Sequence, residues 1–508
     1  MDYVLKSRSL TTSSNILDTV SQQPVDLDFT LPDYLADVET ILKTDLDTKI
    51  YTRSLSAGQL RIDGASVVTV LYLDSDRKAL RVCEQTLPFS ATIPVSSECS
   101  DYVIFATAKP EYLNCRALSP RRLSVHGAFS LHTKITCKKP EDIFEETSDQ
   151  TLQTKQTSCT SYELNDLSQE VFSVTEAVAL NAKSMVESIV YSRVAAQVTE
   201  CRNVAGKTVI KGEMTLHMLY ITDNATGECD RFVYVFPFSH TMDSGTTDSN
   251  CSCVQLSVLS SEVILKSEPL STEPVIALDC KLCATVSEYV AQQLNFVTDV
   301  YSTSCVVEPT LENITLCTDV HPLSAGVVSK SGVDLGDKTI QKIIDIFCDD
   351  TSATADLEDS SIRFEGQSNL SILGITDEGE ITCIRRQVDF SHTENLTSEF
   401  NSIEDVEADV TSLSYRLGAD NNMEVRLELR ITSCLRSLVE ARQVVSVNSV
   451  SDELSEDMCA LTLYYADKGE SVWEIARHFH ASVESIIDEN SLEEDTLPES
   501  RMLVITRA

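Results

Sequence analysis

The sequence predicts a mainly β, α+β protein with three tandem β-rich domains and a small β-α-α-β domain at its C-terminal end. Three observations carry this prediction. The chain has 508 residues, a length that favours several domains over one. One set of landmarks recurs three times, and such self-similarity indicates repeated structural units. The residues from 459 onward follow a different pattern, with two short amphipathic stretches between two apolar ones.

Each repeat contains a glycine followed seven residues later by a leucine, inside a run of alternating apolar and polar residues. The three runs are LRIDGASVVTVLYLDSD with Gly64, TVIKGEMTLHMLYITDN with Gly212, and IRFEGQSNLSILGITDE with Gly366. A phenylalanine follows in LPFSAT, FPFSHT and VDFSHT. Alternation of this kind predicts strands with one solvent-facing side. A glycine within such a strand suggests a bulge or a close approach of another backbone.

Upstream of each glycine, apolar residues stand at i, i+3 and i+4, the spacing of one apolar helix face. The segments are DVETIL, MVESIV and TIQKII. Their first apolar residues, Val38, Val186 and Ile340, each lie 26 residues before the glycine. We therefore expect a short amphipathic helix ahead of the strands in every repeat.

These landmarks divide the chain into a tail over 1–22, repeats over 23–145, 160–308 and 309–446, and a terminal domain over 459–508. Polar stretches between them, such as EETSDQTLQTKQTS and SVNSVSDELSED, are expected to be links.

The terminal domain is expected to begin with a strand over 461–465 and to end with a strand over 502–506. Two helices are predicted between them, and their apolar stripes are Val472, Ile475, Ala476 and Phe479 in the first and Val483, Ile486 and Ile487 in the second. This order resembles a LysM domain, on the residues GESVWEIA, Ser482-Val483, Asn490 with Leu492, and the last strand. The resemblance implies a two-loop binding face, with Gly469, Val472, Asn490 and Leu492 as partner-binding residues.

Trp473, the only tryptophan of the chain, lies one position off the first helical stripe. That offset is about 100° around the helix axis and predicts partial burial. Two interpretations stay open from the residues alone. Trp473 is either a rim residue that covers a small core or a partner-binding anchor, since a large amphipathic ring gives much contact area at low entropy cost.

The segment LPDYLADVETILK of the first repeat, followed by the strand with Gly64 and Leu71-Tyr72, resembles the SPOCS domain family, also called DUF3794. Only this repeat keeps Leu31-Pro32-Asp33, and the third has Gly374 where the others have Tyr72 and Tyr220. Several SPOCS domains followed by a LysM domain are similar to the spore-coat assembly proteins of clostridia.

That resemblance implies a non-enzymatic adaptor of spore-coat morphogenesis in the mother-cell cytoplasm. In this family the LysM domain docks onto the coat-basement ATPase at the forespore surface. The SPOCS repeats are expected to recruit other coat proteins or to self-associate, with strand addition at exposed sheet edges as one route.

The alternative is a cell-wall protein whose LysM domain binds peptidoglycan. The first residues lack an apolar segment of signal-peptide length, and the loop DENSLEEDTLPES is strongly anionic, so both features count against it. The net charge of −39 also disfavours nucleic acids and anionic membrane surfaces as partners. The chain has no run of 18 apolar residues, so no membrane span is predicted.

Seventeen cysteines lie scattered in strand-like runs, which predicts reduced thiols in a cytoplasmic protein. Cys280 and Cys283 are expected to face opposite sides of a strand, and Cys251 and Cys253 lie too far from them for a zinc ribbon, so no metal site is predicted. The patterns GxSxG, GxxxxGK[ST], HExxH and GxGxxG are missing from the sequence, so we expect neither catalytic residues nor a cofactor. His478 and His480 are expected to be a surface pair.

Overall fold

The computed structural model describes residues 5–76, 79–96, 99–147, 149, 151–180, 186–223, 226–245, 251–266, 274–336, 338–418, 421–451 and 461–506. Within these residues the chain is nearly all β, which confirms the mainly β fold class. The first eighteen strands form three six-stranded units, and a small terminal unit follows.

The first unit comprises β1 (Leu5–Thr30), β2 (Val38–Ser56), β3 (Gln59–Asp74), β4 (Leu80–Pro94), β5 (Tyr102–Ser119) and β6 (Arg122–Thr147). The second comprises β7 (Leu152–Ala179), β8 (Ser188–Val204), β9 (Lys207–Asp223), β10 (Glu228–Asp243), β11 (Cys251–Lys266) and β12 (Val275–Ser302). The third comprises β13 (Val306–Asp334), β14 (Ile340–Glu358), β15 (Ser361–Thr376), β16 (Ile381–Asn395), β17 (Ser402–Leu417) and β18 (Asn422–Ser451).

The three units share one strand order. In each unit the first, sixth and fifth strands form a three-stranded antiparallel sheet, with the sixth strand in the middle. The second, third and fourth strands form another, with the third in the middle. The first and sixth strands are 26 to 30 residues long and pair with each other as a long ribbon.

The prediction of an amphipathic helix ahead of each glycine is wrong, because the second strand of each unit occupies this place and carries β-bulges. In β2, Val38 is opposite Asp74 and Ile41 is opposite Tyr72, with a register shift between them. A bulge adds one residue to its strand. Val38 and Ile41 therefore face the same side although they are three residues apart. In β14, Ile340 and Ile343 are related by a bulge in the same way.

Each repeat glycine lies beneath the ring of its own repeat phenylalanine. Gly64 pairs with Phe89, Gly212 with Phe238, and Gly366 with Phe390. A Cβ at Gly64 would overlap both the Phe89 ring and the carbonyl oxygen of Lys49 on the neighbouring strand. The expected close approach is confirmed, and it explains why a side chain is excluded at this position.

Residues 5–22, predicted as part of a tail, form the larger part of β1. They pair with β6, from Leu5 opposite Thr147 to Gln22 opposite Ser130. Likewise β7 begins at Leu152, within a stretch predicted as a link, and β18 runs on to Ser451. These segments are polar because much of each ribbon is solvent-exposed. Polar composition therefore suggested links where the chain forms strands.

Counterpart residues of the three units meet in one buried cluster. Leu71, Leu219 and Leu373, the leucines seven residues after each repeat glycine, lie in it together. The bulged strands add their own counterparts, Leu42, Val190 and Ile344. The repeat leucine therefore stabilises the junction of the three units, which is a reason for its recurrence. A second cluster, with Leu10, Phe296 and Ile314, joins the three ribbons.

Cys253 on β11 is bonded to Cys434 on β18 and links the second unit to the third across 181 residues of sequence. This bond corrects the prediction of reduced thiols for these two cysteines. The prediction failed because a single sequence holds no signal that pairs positions so far apart. Cys280 packs in the core of the second unit, whereas Cys283 packs against the first unit. The prediction that these two face opposite sides is confirmed. Burial raises the pKa of Cys280 to about 12, which keeps this thiol protonated at neutral pH.

Candidate functional site

The terminal unit has the predicted β-α-α-β order. It consists of β19 (Leu461–Ala466), α1 (Val472–Phe479), α2 (Val483–Asn490) and β20 (Arg501–Thr506). The two strands pair antiparallel, and both helices pack on one side of them around a core that includes Val472, Ile486 and Leu503. Neither helix has the length and apolar character needed to cross a membrane, and the described residues contain no other helix.

Trp473 contacts the second unit. Its side chain is only 9% exposed, and its indole Nε1 donates a hydrogen bond to Oδ2 of Asp299, at 2.9 Å. The indole also meets Tyr301 edge-on, with ring centroids 4.9 Å apart. Asp299 and Tyr301 lie at the end of β12. Trp473 therefore anchors the terminal unit to its own chain, an arrangement that neither sequence interpretation included.

Further polar contacts surround the tryptophan. Arg477 forms an ion pair with the same Asp299 oxygen, at 2.7 Å. The Tyr301 hydroxyl donates to the carbonyl oxygen of Ala481, at 2.7 Å, and Nδ1 of His480 lies 2.9 Å from the Ser302 carbonyl oxygen. Burial raises the pKa of Tyr301 well above its ordinary value, so the hydroxyl remains a donor at neutral pH. We call this set of contacts the docking contact.

The docking contact was not foreseen from the sequence. Asp299 and Tyr301 stand 174 and 172 positions before Trp473, and no local pattern relates them. The end of β12 differs from the ends of β6 and β18 in its tyrosine, since KKPEDIFEET and RQVVSVNSVS contain none. Of the predicted histidine pair, His478 is exposed, whereas His480 belongs to the docking contact.

The other predicted partner-binding residues do not form one surface. Val472 is fully buried in the small core, and Leu492 packs partly buried against it. Gly469 is exposed at a turn, where its φ of 92° is a conformation that suits glycine. Asn490 is 7% exposed and ties α2 to β20, since its amide donates to the Val504 carbonyl oxygen and accepts from the Val504 N–H, at 2.7 and 2.8 Å.

The opposite side of the terminal sheet is apolar and exposed. Leu461, Leu463 and Tyr465 on β19 and Met502 on β20 are 56%, 63%, 60% and 55% exposed. Tyr465 and Met502 are directly paired, and alternate residues such as Ala466 are buried beneath the helices. We call these four side chains the outer face. A contiguous exposed apolar patch on a small unit is typical of an interaction site.

The outer face belongs to an acidic unit. Residues 461–506 contain three basic side chains, Lys468, Arg477 and Arg501. The same residues contain ten acidic ones, Asp467, Glu470, Glu474, Glu484, Asp488, Glu489, Glu493, Glu494, Asp495 and Glu499. The excess of acidic side chains gives the unit a negative charge, which favours a basic partner.

Residues 37–118 match the family model of the SPOCS domain of SipL. The predicted SPOCS domain is confirmed for the first repeat. The match runs from the start of β2 almost to the end of β5. No curated protein and no solved structure matches the chain. The SPOCS nature of the second and third units and the LysM nature of the terminal unit stay predictions.

Proposed function

We propose that this protein is a non-enzymatic adaptor of spore-coat assembly. The SPOCS match to SipL indicates a sporulation-related coat protein role. In the proposal, the terminal unit is a LysM domain that holds the coat-basement ATPase at the forespore surface, on the mother-cell side. The three six-stranded units form the scaffold that recruits or organises other coat proteins.

The outer face is the observation that supports ATPase binding by the terminal unit. Its four apolar side chains are more than half exposed, so a partner that covers them gains free energy from the hydrophobic effect. Full burial of a side chain of this size contributes about 1.5–3 kcal/mol. A few such residues at the centre of an interface typically supply most of the binding energy.

The docking contact supports the same proposal by fixing the direction of the outer face. Trp473 and Arg477 lie on α1, and α1 packs on the side of the sheet opposite to Leu463. The contact with β12 therefore leaves the outer face uncovered. In the proposal, Trp473 holds the terminal unit in place, and the outer face binds the partner.

The experiment that tests this function compares two ligands for the intact chain. The purified protein is titrated with the coat ATPase of the same organism and, separately, mixed with isolated peptidoglycan sacculi and sedimented. Saturable binding to the ATPase without sedimentation on sacculi supports the adaptor. Sedimentation with sacculi and no ATPase binding would instead support the cell-wall alternative and contradict the proposal.

A further inference from the structure

Three counterpart strands lie at the edges of their sheets. β4, β10 and β16 are each the last strand of the second sheet in their unit, and each pairs with the middle strand. An uncovered edge strand presents unpaired backbone groups to which another strand can add. Proteins usually protect such edges with charged side chains.

The three edges differ at the positions just before the repeat phenylalanine. Five, four and three residues before it, β4 has Glu84, Gln85 and Thr86. At the same positions β16 has Arg385, Arg386 and Gln387, whereas β10 has Val233, Tyr234 and Val235. The edge of the second unit thus lacks the charges that its two counterparts carry.

Two valines of β10 are exposed, whereas the aromatic residues that alternate with them lie on the core side of the strand. Val233 and Val235 are 54% and 53% exposed, and Phe232, Tyr234 and Phe236 form a row of stacked rings along the strand, with centroids 6.0 and 5.7 Å apart. No charged side chain occurs from Phe232 to Pro237. We call these six residues the β10 edge.

Phe232, Tyr234 and Phe236 pack towards the core of the second unit, and further contacts lie at the two ends of β10. Cys229 packs in the junction cluster, and Arg231 lies over the ring of Tyr415 in the third unit. At the other end, His240 stacks on Phe172 of β7. Along the β10 edge, β9 is the one strand with which β10 pairs among the described residues.

We propose that a second copy of this chain pairs antiparallel with the β10 edge and forms a two-fold dimer. If Tyr234 lies opposite its own counterpart, Phe232 faces Phe236 and Val233 faces Val235 of the other copy. Aromatic pairs and pairs of β-branched residues are favourable cross-strand neighbours. Pro237 has no N–H, so the ladder ends there.

The β10 edge is a place where a second copy can bind despite the overall charge of the chain. With a net charge of −39, two copies repel each other over most of their surface. The β10 edge is uncharged, so two copies can meet there without bringing carboxylates together. This dimer rests on the proposed scaffold function of the three six-stranded units, and it does not depend on what the terminal unit binds.

Analytical ultracentrifugation of the intact chain tests this, from about 1 to about 100 μM, where weak strand-addition dimers dissociate. We expect dimers that strengthen with added salt, because salt screens the repulsion. Val233→Glu gives β10 the glutamate that β4 has at the same position, Glu84, and should give monomers at every concentration. Val20→Glu, at an exposed position of β1, is the matched control and should dimerise like the wild type. Wild-type chain that stays monomeric, or Val233→Glu chain that still dimerises, would overturn the proposal.

Hydrogen exchange on the wild-type chain gives a test that needs no variant. The segment over 231–237 should become more protected as the concentration rises, whereas the counterpart segments of β4 and β16 should not. Equal protection at all concentrations would overturn the proposal. Protection that appears only after another protein is added would also overturn it, because the occupant would then be a different partner.

Discussion

The indole of Trp473 and the carboxylate of Asp299 form a hydrogen bond of 2.9 Å between the terminal unit and the second unit. Asp299 also pairs with Arg477, so one carboxylate holds two side chains of α1. A hydrogen bond to a charged group contributes roughly 1.5–3 kcal/mol, and a partly exposed ion pair about 1 kcal/mol or less. The hydrogen bond is therefore the stronger of the two contributions.

Asp299→Ala should loosen the docking contact without unfolding either unit, because the Tyr301 and His480 contacts remain. Since Trp473 is the only tryptophan, its fluorescence reports on the docking contact alone. We expect emission at longer wavelength and stronger quenching by acrylamide, because the indole gains access to water. Asp299→Asn keeps an acceptor and should show a smaller change. Unaltered emission and quenching in Asp299→Ala would show that this carboxylate does not hold the terminal unit.

Leu219→Ala should destabilise the assembly of the three units. Leu219 is fully buried in the junction cluster, and removing a buried leucine side chain costs about 2–5 kcal/mol. The measurement is the urea concentration at the midpoint of unfolding. Leu118→Ala, at a position 57% exposed, is the control and should leave the midpoint unchanged. Equal midpoints for Leu219→Ala and the wild type would contradict the role of the repeat leucine at the junction.

Cys434→Ser should lower stability only under non-reducing conditions. The Cys253–Cys434 bond closes a loop across 181 residues, and loss of a disulfide costs roughly 2–5 kcal/mol. Peptide mapping without reductant should recover a cross-linked pair that contains both residues. Cys115→Ser provides a control at a partly buried cysteine that forms no disulfide and lies outside the junction cluster. A wild-type chain whose unfolding midpoint does not respond to reductant would exclude a stabilising cross-link.

The carboxyl group of Glu407 should lower the free energy of unfolding as the pH rises from 4.5 to about 8. It lines a cavity of about 320 Å³ between the three units, and burial, followed by the nearby Asp409 carboxylate, raises its pKa from 4.5 to about 8. The folded protein thus holds a proton that the unfolded chain releases above pH 4.5, so stability is lost between pH 4.5 and about 8. Glu407→Gln should flatten this slope in urea unfolding at a series of pH values. An identical slope in the variant would contradict the raised pKa.

Local secondary structure was predicted from the sequence better than the contacts between distant segments. The terminal β-α-α-β order was foreseen because Val472, Ile475 and Ala476 keep helical spacing within one short segment. The same spacing in DVETIL predicted a helix, but this segment belongs to β2, where a bulge brings Val38 and Ile41 to one face. A bulge depends on the partner strand, which a local pattern does not contain.

The sequence pointed to the terminal domain as the candidate site but predicted neither the docking contact nor the outer face. The partner-binding role predicted for Trp473 stays a prediction, and in the structure its indole bonds to Asp299, a residue from another unit. Asn490 matched the LysM pattern because it stabilises the fold, where its side chain bonds to the Val504 backbone. The outer face was missed because LTLYY has apolar or aromatic residues on both sides of the strand, so its alternation did not show which side is buried.

The most direct test of the account measures the affinity of the intact chain for the coat ATPase with the outer face altered. Leu463→Glu puts a charge on the outer face at a position 63% exposed, so folding should be preserved, as circular dichroism and Trp473 emission can verify. We predict that its affinity falls at least about tenfold, because a charge at the centre of an interface is desolvated without a partner. The control Val20→Glu should bind like the wild type. Wild-type affinity in Leu463→Glu, together with loss of binding in a folded Trp473→Ala chain, would contradict the account and assign the partner to the tryptophan.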